Sequence, residues 1–205
     1  MFPKRKPRHP QTLDRTKSKW FGIGFGRIRI QRMKLKSICL CCCLFIASVL
    51  AASEQDETTL IKVGQAAPDF QVTTLDGKKF DLKEAKGKVV LVNFFASWCG
   101  PCMQEMPHLQ SEIWRRFKDK NFTMVSINRG ETEQVVKALQ KKRAFEFPIA
   151  CDTNKAVYAK FATKYIPRNY LIDAKGVVVY QAAGFEEAEF QKLIAAIEKE
   201  TGKSN

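Results

Sequence analysis

VVLVNFFASWCGPC, residues 89–102, decides how this chain folds. From Val89 to Phe95 the run is apolar except for Asn93, which is the composition that a strand buried on both faces requires. It leads into Trp98-Cys99-Gly100-Pro101-Cys102 and then a long amphipathic stretch, so the cysteine pair falls at a strand-to-helix junction. There the first cysteine sits at a helix N-terminus, where unpaired backbone N–H groups and the helix dipole favour a thiolate over a thiol. Cys99 is therefore the candidate nucleophile. Cys102, about one helical turn deeper, is close enough to form a disulfide with Cys99 and less open to solvent, which makes it the resolving thiol.

Half of a zinc site is the competing reading of a Cys-x-x-Cys pair, and it needs two further soft or imidazole ligands at a suitable spacing. Beyond the N-terminal segment the candidates are Cys151 and His108, each a lone residue. A purely structural bridge is also weak, because so short a loop removes little unfolded-chain entropy. Redox chemistry keeps the weight.

The full 205 residues, 45% hydrophobic, allow one buried core plus an extension. Charge is unevenly distributed: residues 1–37 carry 12 Lys/Arg against Asp14 alone, so +11 of the total +14 lies there. The remainder holds 23 Lys/Arg against 20 Asp/Glu. With the basic character confined to the extension, a nucleic-acid function for the folded part is unsupported.

Ile38 to Ala52 is a charge-free apolar run preceded by Lys34 and Lys36 and followed by Ser53, Glu54, Asp56 and Glu57, the layout of an export signal. It is shorter than the roughly 20 residues that span a bilayer. Cleavage is thus favoured over a retained anchor, while a membrane tether through 38–52 stays open. Cys39, Cys41, Cys42 and Cys43 would be odd in a buried core helix, and none follows the pattern that lipoprotein processing needs. Starting at Met33 gives a signal peptide of ordinary proportions, so residues 1–32 are read as the product of an upstream start. The expected division is 1–53, extension with signal peptide or signal anchor, and 54–205, a folded domain exported to the periplasm or cell envelope.

Along that domain, Glu54 to Val63 reads as a linker or fraying start. Phe70 and Val72 alternate, Leu75-Asp76-Gly77 supplies a turn, and Lys79 to Leu82 returns as a hairpin arm. After Cys102 a helix carries Met106, Leu109, Ile113 and Phe117 on one side, and Pro107 should kink it. Phe122 to Ile127 is a strand, Glu131 to Arg143 a helix, Phe147 to Ala150 a strand, and Ala156 to Lys164 a helix. Asn169 to Ile172 and Val177 to Ala182 form an antiparallel hairpin, and Phe190, Leu193, Ile194 and Ile197 mark a closing amphipathic helix. The alternation implies the α/β class, a central mixed sheet with helices on both faces.

From about Ile61 to Thr201 the chain resembles the thioredoxin fold, and more closely the exported ResA/TlpA-like thiol-disulfide oxidoreductases. Ala67-Pro68-Asp69-Phe70 on the N-terminal β-hairpin, Trp98 to Cys102, Pro107 and Tyr165-Ile166-Pro167 carry the likeness. The stretch from Arg129 to Cys151 resembles the central helix-strand insertion of that class. The resemblance implies a cis bond between Ile166 and Pro167 facing the two sulfurs, with the Ile166 backbone free to pair with an extended substrate. Trp98, Ile166 and Pro167 are accordingly expected to bind substrate, Trp98 as an apolar rim beside the disulfide, although a core role fits it equally.

Asn93 replaces the buried aspartate that thioredoxin proper uses for proton transfer, and an amide cannot take a proton. Glu105 is the expected substitute, because it lies one turn from Cys102 on the same helix face and ResA-like proteins carry a functional glutamate at the matching place. Burial would raise its pKa and let it act as base for Cys102. The alternative is a solvated helix-face carboxylate. Arg168 either meets acidic substrate or stays in solvent; Cys151 reads as a small buried residue and His108 as helix-surface decoration.

The activity implied is an exported thiol-disulfide oxidoreductase acting mainly as a reductant of protein disulfides, recharged by an upstream membrane dithiol donor and needing no metal or organic cofactor. Disulfide-containing proteins are the substrates; apocytochrome c is one family-based candidate, and no residue selects it. One rival is a thiol peroxidase of peroxiredoxin type, suggested by Ala-Pro-Asp-Phe but opposed by Ala96, where peroxiredoxins place a threonine. The other is a non-catalytic anchored peptide-binding module.

Overall fold

The structure, a computed structural model, describes residues 57–202. A short antiparallel hairpin leads, β1 (Gln71–Thr73) with β2 (Lys79–Asp81), turning at Gly77, whose φ of 84° a side chain would resist. Then come β3 (Val89–Phe95), α1 (Gly100–His108), a π-helical turn (Leu109–Trp114), α2 (Arg115–Phe117) and β4 (Phe122–Arg129). The chain continues through α3 (Glu133–Arg143), β5 (Ile149–Asp152), α4 (Tyr158–Phe161), β6 (Arg168–Ile172), β7 (Val178–Ala183) and α5 (Glu187–Thr201).

Five strands form the central sheet in the order β5-β4-β3-β6-β7. β3 runs parallel to β4, which is parallel to β5, and antiparallel to β6, which is antiparallel to β7. The expected mixed α/β sheet is therefore present. Side chains alternate across it. Val89, Leu91 and Phe95 face one core with Met106, Leu109, Ile113, Leu193 and both motif cysteines. Val90, Val92 and Phe94 face a second core with Phe70, Leu82, Tyr158, Phe161 and Tyr170.

Pro107 stands inside α1 and acts there through its missing N–H. Without that donor the regular helical ladder loses one rung. Just beyond, the N–H of Leu109 is shared between the carbonyls of Glu105 and Met106, and the backbone widens into the π turn. Met106, Leu109, Ile113 and Phe117 all stay buried, so the apolar side survives the change of pitch. The helix expected over 156–164 shrinks to α4, because Ala162 turns extended and bridges Thr59.

That bridge also corrects the reading of Glu54 to Val63 as linker, as far as those residues are described. The Leu60 N–H donates to the Phe161 carbonyl at 2.9 Å, Thr163 to Thr58 at 2.9 Å, and Gly64 to Val178 at 2.8 Å. Arg168 is corrected too: it meets neither solvent nor an open face, but is buried, with Nε donating to the Lys164 carbonyl at 2.9 Å and its guanidinium bonded to the Thr58 and Thr59 hydroxyls. The extension, Met33, the four clustered cysteines and the apolar run 38–52 lie outside the described residues, among which no helix is long and apolar enough to cross a membrane.

Candidate active site

Cys99 is the residue capping the N-terminus of α1, its backbone still extended (φ −84°, ψ 108°), and its Sγ accepts the Cys102 N–H at 3.2 Å. Pro101 stands in the first turn, where its lack of a donor costs nothing. The two sulfurs are joined in a disulfide, with Cα atoms 5.3 Å apart. Cys99 is 5% exposed and Cys102 0%, the order of access expected from their depth on the helix. Cys99 Sγ lies 3.6 Å from the carbonyl oxygen of Ile166, and the Ile166–Pro167 peptide bond is cis. Sequence-distant elements thus bring together the Cys-x-x-Cys pair and the Tyr165-Ile166-Pro167 loop. Trp98 is 67% exposed, so it is not a core residue.

Glu105, a turn beyond Cys102, is 1% exposed, so the solvated alternative fails. Its Oε2 accepts from Asn93 Nδ2 at 3.0 Å and its Oε1 from Asn169 Nδ2 at 2.5 Å. Asn93 Nδ2 also donates to Asn169 Oδ1 at 3.0 Å, and Asn93 Oδ1 accepts from Ser126 Oγ at 3.1 Å. Sheet register explains the cluster: Asn93 pairs laterally with Ser126 on β4 and Asn169 on β6, so three polar side chains share one face under α1. Loss of hydration pushes the Glu105 carboxyl up to about 7, against the pull of the two amide donors. Glu105 and Asn169 border a cavity of about 10 Å³ shared with Tyr180 and Phe190, room for roughly one water.

Sequence reasoning found Asn93 and Glu105 but passed over Asn169 and Ser126. The available signal was a polar residue interrupting an otherwise apolar strand at the level of Asn93. It also missed Glu131. That carboxylate accepts the Ser97 N–H at 2.7 Å, the Ser97 hydroxyl and Asn128 Nδ2 at 2.6 Å, tying the loop that carries Trp98 to the end of β4. Partial burial alone would raise the Glu131 pKa, but the donors from Ser97 and Asn128 outweigh it and hold the pKa below its ordinary value.

Of the remaining candidates, Cys151 is a half-buried free thiol whose pKa burial and the neighbouring Glu133 and Glu131 push up to about 11, the opposite of an activated nucleophile. His108 is half-exposed at the end of α1, its Nδ1 2.6 Å from Glu112 and its ring beside Phe185 and Phe190.

A family model described as AhpC/TSA matches residues 63–181. The thiol-disulfide oxidoreductase ResA of Bacillus cereus is 36% identical over 129 residues, covering 63% of this chain and 74% of the relative. ResA of Bacillus subtilis is 32% identical over 147 residues, 72% of this chain and 79% of the relative. Among solved structures, a candidate protein disulfide isomerase from Bacteroides thetaiotaomicron superposes with a TM-score of 0.69 at 36% identity, over 71% of this chain and 94% of that one. With the cysteine pair at a helix tip and the mixed sheet behind it, this chain belongs to the AhpC/TSA family and is a ResA/TlpA-like, thioredoxin-fold thiol-disulfide oxidoreductase.

Proposed function

We propose that this oxidoreductase is exported and works as a reductant of protein disulfides. The Cys99 thiolate attacks one sulfur of a substrate disulfide; a Cys99–substrate bond forms and the other substrate sulfur leaves as a thiolate. Cys102 gives its proton to Glu105 and attacks Cys99, which closes the Cys99–Cys102 bond and expels the second substrate sulfur. Two electrons pass to the substrate, and an upstream membrane dithiol donor returns them. Protein disulfides in general are the substrate class, with those of apocytochrome c a specific candidate.

The single observation that carries the mechanism is the burial of Glu105 one turn from Cys102; loss of hydration there pushes its carboxyl up to about 7, which suits a proton acceptor at neutral pH. Ile166 and Pro167 beside Cys99 support the docking of an extended substrate strand there. Export is supported by the charge-free run 38–52 behind Lys34 and Lys36. Gly100-Pro101 between the cysteines favours a low potential, so the pair is expected closer to about −270 mV than to about −120 mV.

Cys102→Ser tests the mechanism, since a mixed disulfide formed by Cys99 then has no resolving partner. Covalent partners released by dithiothreitol and identified by mass spectrometry are expected; none being trapped while Cys99→Ser retains full activity would overturn the reading. Peroxide consumption by Cys102→Ser protein separates it from a thiol peroxidase, which Ala96, three residues before Cys99, does not equip.

A further inference from the structure

Tyr165 has a φ of 68°, in the left-handed region where glycine is at ease and an aromatic residue is an outlier. The backbone is held there from both sides. Tyr158 Oη donates to the Tyr165 carbonyl at 2.7 Å, Ile166 packs against both cores, and Pro167 is buried. The Tyr165 ring gains little from the interior, because the residue is 65% exposed. A glycine would meet the same backbone demand with less strain, so the ring does not serve the fold.

Its location suggests what it does serve. Among the described residues Trp98 and Tyr165 are the exposed aromatics, and each is the chain neighbour of a group at the disulfide. Trp98 precedes Cys99, and Tyr165 precedes Ile166, whose carbonyl oxygen lies 3.6 Å from Cys99 Sγ. Aromatic rings bury large areas at small conformational cost, which suits them to gripping another chain. Charge from the Pro167 side is withdrawn, since the Arg168 guanidinium is turned inward onto Thr58 and Thr59.

We propose that Tyr165 is a specificity-determining residue: together with Trp98 it grips an extended polypeptide that bears an aromatic or large aliphatic side chain beside the disulfide cysteine under attack. This rests on the disulfide-reductase reading above and deepens it by naming the substrate class. Small disulfides without flanking side chains lack the group that the two rings would hold.

The test uses two synthetic peptides with the same intramolecular disulfide, one with Phe and one with Gly beside the attacked cysteine, reduced by the dithiol form of the protein. A kcat/KM roughly five- to tenfold higher for the Phe peptide is expected. Tyr165→Gly should bring that ratio below about twofold with a Tm at or above the parent's, while Tyr165→Phe preserves the ratio. Equal kcat/KM for both peptides in the parent, or an unchanged ratio in Tyr165→Gly, overturns the inference alone. Reduction of neither peptide overturns the reductase reading and this inference with it.

Discussion

Glu105 makes the protein sensitive to pH near neutrality in two measurable ways. If the carboxylate takes the Cys102 proton, the rate of disulfide reduction rises with pH through about 7, and Glu105→Gln should slow it at least about tenfold and flatten that rise. Stopped-flow reduction of a protein disulfide between pH 5.5 and 8.5 reads both effects. Stability runs the other way. With its folded pKa raised to about 7 from 4.5, the native state holds a proton that the unfolded chain has released. Stability therefore falls as pH climbs from about 4.5 through 7, by something on the order of 3 kcal/mol, and Glu105→Gln should remove that slope in urea unfolding at pH 5 and pH 8. Glu105 was legible because helix periodicity places it on the Cys102 face. Asn169 was not, because its partnership with Asn93 spans 76 residues and depends on strand register.

At the scale of elements, periodicity located almost every strand and helix of the described domain, and missed where pairing with distant chain overrides it. Residues 58–67 have no pattern of their own; they are held by hydrogen bonds to Phe161, Thr163, Gly176 and Val178, which no local reading reveals. α4 ends early for the same reason. Arg168 joins the two segments through the Thr58 and Thr59 hydroxyls. Replacing it by Ala removes its bonds to both hydroxyls and to the Lys164 carbonyl and opens a void, so Arg168→Ala should cost about 2–3 kcal/mol in chemical denaturation. It should also speed tryptic cleavage at Lys62, while Tyr165→Gly leaves that site protected.

The described domain is built on two apolar cores separated by one sheet, and of these two only one contains sulfur from the motif. Substitutions on the two sides should therefore differ in kind. Met106→Ala, in the core that holds both cysteines, opens space in which water can solvate a thiolate. It is expected to lower stability by about 2–3 kcal/mol and move the Cys99–Cys102 potential more positive by roughly 10–30 mV. Phe161→Leu, across the sheet, should lower stability by about 1–2 kcal/mol and leave the potential within about 5 mV, as measured in glutathione redox buffers. This partition was readable in outline from the unbroken apolarity of residues 89–95, which demands cover on both sides. Which helix covers which side was not, because that depends on how the chain crosses between strands. The side occupied by Phe94, Phe161 and Tyr170 is thus where heat tolerance can be adjusted by changing the apolar side chains that fill it while electron traffic through the thiols stays as it was.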